Sequence, residues 1–114
     1  MDQKNKPVVT HVTRVLLSLT PDMNEFSQKM LAASLTPETV RQSGDIFKAR
    51  ADRVAAMMEF LQGLDFSFEL KKQTIIAFST EVEAYEVKQQ LKKAGFQDRE
   101  FQILLDYTRG WGML

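Results

Sequence analysis

VVTHVTRVLLSL, residues 8–19, is the stretch whose reading decides the fold. Taken as a strand, it puts Val15, Leu17 and Leu19 on one side and Leu16 on the other. Taken as a helix, Val8, Val12, Val15, Leu16 and Leu19 fall on one face. Four valines and two threonines, Thr10 and Thr13, favour the strand, because side chains branched at Cβ fit a pleated surface better than a helical turn. If the segment were helical, the chain would instead be a helical N-terminal half packed on a β-hairpin.

Downstream, SLTP occurs at Ser18–Pro21 and again at Ser34–Pro37. The residues after the two copies do not match, so they read as two helix starts and not as a repeat. Threonine caps, proline suits the first turn, and Asp22 or Glu38 meets the positive end of the helix dipole. The first helix is expected over Asp22–Ala33, burying Phe26 and Met30. A second begins near Glu38, is interrupted at Ser43–Asp45, and continues with Phe47, Ala51, Val54, Met58 and Leu61 at helical spacing until Gly63 stops it.

DFSFELKKQTIIAFS, residues 65–79, reads as a hairpin with its turn at Lys71–Gln73. TEVE at Thr80–Glu83 has the pattern of a capping box, and Ala84, Val87, Leu91 and Ala94 form the stripe of the next helix. Gly95 is placed to end it in the left-handed conformation. EFQILLDY, residues 100–107, supplies a last strand.

The element order is β-α-α-β-β-α-β. Without one helix this is βαββαβ, so the expected fold is α+β: a ferredoxin-like two-layer sandwich on a four-stranded antiparallel sheet, with one additional helix between strands 1 and 2. Residues 1–7, MDQKNKP, form a polar leader expected to be flexible, and residues 8–114 a single domain. VLLSL and TIIAF are apolar on both sides, as central strands should be, whereas FSFEL alternates like an edge.

In this layout the helices cover Val15, Leu17, Leu19, Phe66, Phe68, Leu70, Ile76, Phe78, Phe101, Ile103 and Leu105. The open face then shows Leu16, Ile75, Ala77 and Leu104 within a polar border of Ser67, Glu69, Gln102 and Asp106. An apolar centre inside a polar rim is the anatomy of an interaction surface. Either a second copy covers it, or the chain does so with its extra helix or its tail. That tail, YTRGWGML (residues 107–114), carries Trp111, Met113 and Leu114, and Gly110 and Gly112 permit a reversal. It can pack in its own chain, on a partner, or as a lid over a ligand.

The composition narrows the function. Fifteen basic and fifteen acidic residues cancel, which removes a global attraction to nucleic acid or anionic lipid. No cysteine is present, so disulfides and thiolate chemistry are out, and the sequence suits a reducing, cytoplasmic setting. No apolar run approaches the length of a membrane span. His11 is the only histidine and has no partner pattern; no nucleotide-binding or nucleophile motif occurs. No catalytic residue, metal site or cofactor is therefore expected. The topology is shared with RNA-binding domains of the RRM type and with ligand-sensing domains of the ACT type. The first stack bases on aromatics of the open face, where this reading places none, so nucleic acid is disfavoured. The second usually have glycine at the first strand-to-helix turn, where this chain has LTPDMN. The resemblance is to a fold alone. The expected function is a small non-catalytic interaction or assembly module, a homodimer or bound to a protein partner. A regulatory domain sensing a small molecule is the alternative, and nucleic-acid binding the second.

Overall fold

A computed structural model describes residues 9–109, and the side chains of residues 11–104. The N-terminal leader and the tail residues Trp111, Met113 and Leu114 lie outside the described residues. The decisive segment is a strand: β1 spans Val9–Ser18. Its alternate side chains Thr13, Val15 and Leu17 are all but fully buried, the period of two that a helix cannot produce.

Three helical segments come next, α1 (Met23–Ala32), α2 (Pro37–Gln42) and α3 (Gly44–Gln62). Then come β2 (Ser67–Lys71), β3 (Thr74–Ser79), α4 (Ala84–Lys93), a single 3-10 turn at Asp98–Glu100, and β4 (Gln102–Arg109). All strands pair antiparallel in the order β2-β3-β1-β4, so the doubly apolar strands are central. β1 and β4 continue past Ser79, the end of β3, as a two-stranded ribbon. The core lies between sheet and helices, where Val15, Leu17 and Ala77 meet Val54, Met57 and Leu61 of α3 and Val87 and Leu91 of α4. Each such large side chain stabilises the fold by about 1.5–3 kcal/mol.

The hairpin corrects the expected faces. Its turn is the two residues Lys72 and Gln73, because Lys71 pairs with Thr74. A three-residue turn at Lys71–Gln73 would have paired even positions with even ones. The shorter turn reverses every side chain of β3, since the strand period is two. Ile75 and Ala77, expected on the open face, lie on the helix side, with Ala77 opposite Val15 and fully buried. Ile76 and Phe78, expected in the core, lie on the open face. Lys72 adopts φ 58°, the left-handed conformation that such a short turn demands, without the glycine or asparagine that usually marks it.

The helices depart from expectation in smaller ways. The interruption expected at Ser43–Asp45 is a full break at Ser43, so the second expected helix is two, α2 and α3. Asp22, not Thr20, caps α1, its Oδ1 accepting from the amides of Asn24 and Glu25 at 3.0 and 3.1 Å. Thr36 caps α2 as expected, with Pro37 in the first turn. α4 starts at Ala84 with no side-chain cap, so Thr80 and Glu83 do not form the capping box. In α3 the buried stripe is Val54, Met57 and Leu61, whereas Met58 is half-buried and Phe47 exposed. For Phe47 the reason is position: the Arg50 Nε–H donates to the carbonyl of Ser18, the last residue of β1, so the turns before Arg50 project past the end of the sheet. Leu70, at the outer edge strand, is also exposed. Gly95 takes φ 103° and ends α4 as expected.

Candidate functional site

Three features of the structure are open to a partner or a ligand. The first is the open sheet face. Reading across the strands, one row is Ser67, Phe78, Arg14 and Leu104, and the next is Glu69, Ile76, Leu16 and Gln102. Leu16, Ile76 and Phe78 are half-buried by their neighbours, and Leu104 is exposed. Of the residues singled out from sequence, Leu16 and Leu104 thus share this face, and Ile75 and Ala77 do not. Phe78 and Ile76 replace them, and only the length of the hairpin turn could have revealed it.

The second feature is the helical arm formed by α1, α2 and the first turns of α3. Neither α1 nor α2 buries a single residue. Phe26 and Met30, expected to be buried, are only half-covered. The Phe26 ring meets Phe47 of α3 edge-on at 5.4 Å, which ties α1 to the helix layer and away from the open face. Leu31 and Leu35 are 85% and 76% exposed, and Met23, Val40 and Phe47 are exposed with them.

The third is a cleft at the base of the arm, with a volume of about 660 Å³, between the β1–α1 connection, α3 and the 3-10 turn. Three arginines line it. Arg50 donates from Nε to the Ser18 carbonyl at 2.7 Å and from Nη2 to the Glu100 carbonyl at 2.8 Å, tying the end of β1 to the approach to β4. Arg53 grips both carboxylate oxygens of Glu100, at 2.7 and 2.9 Å, and its guanidinium lies 4.8 Å from the centre of the Phe96 ring. Glu100 also accepts from the Gln97 amide at 2.8 Å. The bond from Arg53 holds the Glu100 carboxyl below the usual carboxylate range and raises Arg53 in turn. Burial lowers Arg50, yet a guanidinium stays charged at any working pH. Arg99 is the third arginine, exposed on the 3-10 turn.

Comparison with protein-family models, with curated proteins and with solved structures gave no match to this chain. The site must be read from its own geometry.

His11 lines a smaller cavity of about 370 Å³ with Thr80–Tyr85, at the opposite end of the sheet from the arginines. Among the described residues no group of three or more histidine, aspartate and glutamate side chains could hold a metal ion. No helix among them is long and apolar enough to cross a membrane. The sequence singled out neither arm nor cleft. Arg50 and Arg53 sit one turn apart on α3, but Arg99 and Glu100 come some 50 positions later, and only the passage of α3 by both strand ends brings the two pairs together.

Proposed function

We propose that this chain is a small assembly module that pairs with a second copy of itself. The observation that carries the reading is the arm, whose two helices bury nothing while Leu31 and Leu35 stand in water. Short helices gain most of their stability from packing an apolar face, and within one chain these have little of it beyond the Phe26–Phe47 contact. The sheet offers the complementary surface, centred on Leu16, Ile76, Phe78 and Leu104. In a two-fold pair, the arm of each copy lies on the open face of the other, so both apolar surfaces are covered in one closed contact. A formal net charge of zero leaves no overall repulsion between copies. The fold in this reading is ferredoxin-like with a helical insertion, the setting cytoplasmic, and the role non-catalytic.

Size-exclusion chromatography with light scattering tests it. The expected mass is that of a dimer at high micromolar concentration, and of a monomer for the double variant Leu31→Glu/Leu35→Glu with unchanged circular dichroism. A monomeric wild type at that concentration overturns the proposal. A second reading, a ligand-sensing regulatory domain, is supported by the arginine-lined cleft.

A further inference from the structure

The cleft at the base of the arm carries an inference of its own, independent of self-association. Its wall holds three arginines and three acids, Asp22, Glu25 and Glu100, so its formal charges cancel. What matters is where those charges are engaged. Asp22 is turned to the first amides of α1. Glu25 pairs with Lys29 at 3.2 Å. Both oxygens of Glu100 are taken by Arg53 and the Gln97 amide. No wall carboxylate is bound to Arg50 or to Arg99. Arg50 spends two donors on backbone carbonyls and keeps three N–H groups over. Those two bonds fix its guanidinium in place, so little is lost on ordering it for a ligand. Among the described residues Arg99 makes no ion pair. The volume falls within the usual range of small-molecule sites.

We propose that this cleft binds a small organic anion, whose carboxylate or phosphate group is held between the guanidinium groups of Arg50 and Arg99. Charge-assisted bonds from arginine to such groups are the strong class of hydrogen bond, and the planar donor fork matches both. Because Arg50 also ties β1 to the approach to β4, occupancy would stiffen the base of the arm.

The test is a titration of the full chain, labelled with ¹⁵N, with inorganic phosphate and separately with citrate, at ionic strength held constant with potassium chloride. Saturable amide and arginine Nε shifts confined to residues 18–22, 50–53 and 97–100 are expected. Saturation by phosphate alone assigns a phosphate-bearing ligand, and by citrate alone a carboxylate-bearing one. Arg99→Ala, which removes no contact within the described residues, should weaken binding about tenfold while leaving the thermal midpoint unchanged. Arg99→Glu, which also reverses the charge, should abolish binding. Shifts that chloride reproduces, no saturation with either anion, or wild-type affinity in both Arg99 variants would overturn the proposal. None of these results depends on whether the chain is a monomer or a dimer.

Discussion

Adjacent residues of β3 face opposite layers, so one substitution placed at each in turn should give opposite outcomes. Ala77 is fully buried, with Val15 opposite on one side and Phe68 on the other. Aspartate there has no polar group directly across from it. Neutralising it at pH 7 costs about 4 kcal/mol, from the three-unit gap to the ordinary aspartate value at ~1.4 kcal/mol per unit. Burying the neutral carboxyl adds about 1–3 kcal/mol, and forcing extra atoms into a filled core about as much again. The sum, about 6–10 kcal/mol, consumes the whole stability of a typical domain. Aspartate at position 78 instead points to the open face, directly opposite Arg14. It loses the partial burial of the phenylalanine and some strand preference, about 2 kcal/mol in all. Ala77→Asp should therefore be unfolded by circular dichroism at 25 °C, whereas Phe78→Asp should fold and melt cooperatively. A folded Ala77→Asp with an unfolded Phe78→Asp would show that the hairpin turn has three residues and that the faces are reversed.

The turn itself can be probed. Lys72→Gly relieves the left-handed strain at φ 58° and should stabilise the protein by about 0.5–1 kcal/mol in thermal melts. The Arg53–Glu100 pair predicts an acid limb. Its contact with Arg53 holds Glu100 below its ordinary value, so the stabilisation is complete above the unfolded pKa, about 4.3, and is lost as the pH falls through the lower folded value. Urea midpoints measured from pH 6 downwards should fall less steeply for Glu100→Gln than for wild type. At neutral pH that variant should be less stable by only about 1 kcal/mol, because Arg53 is half exposed and solvent screens the pair.

What the sequence reveals depends on how far each signal reaches along the chain. The strand at Val9–Ser18 was legible because β-branching and alternation are local, and β1 and β3 were legible as central because both their faces are apolar. Gly95, Thr36 and the break at Ser43 announced themselves for the same reason. The faces of β3 were not legible: they depend on one residue of turn length, and Lys72 adopts a positive φ that lysine does not advertise. The projection of α1 and α2 was not legible either. Phe26, Met30 and Phe47 look like core residues in any amphipathic count, and only the end of β1 at Ser18 shows that no sheet lies beneath them. The arginine cleft was invisible because its residues come from three elements spaced some 30 to 50 positions apart.

The corrected faces also change the argument about nucleic acid. From sequence the open face held no aromatic, which spoke against base stacking. With Phe78 on that face, beside Arg14, the objection in that form falls. The physical requirement is stricter than one ring, however. Stacking platforms seat two or three bases on successive aromatics and draw the backbone in with surplus positive charge. Phe78 is the one aromatic among the described residues of this face, Glu69 lies across from Ile76, and the chain as a whole is neutral. Leu16, Ile76 and Leu104 surround it with aliphatic carbon, which favours protein over base as the covering surface. Fluorescence anisotropy with a labelled single strand at low salt separates the two: salt-sensitive binding lost in Phe78→Asp would return the face to nucleic acid, and its absence leaves it to the arm of a second copy.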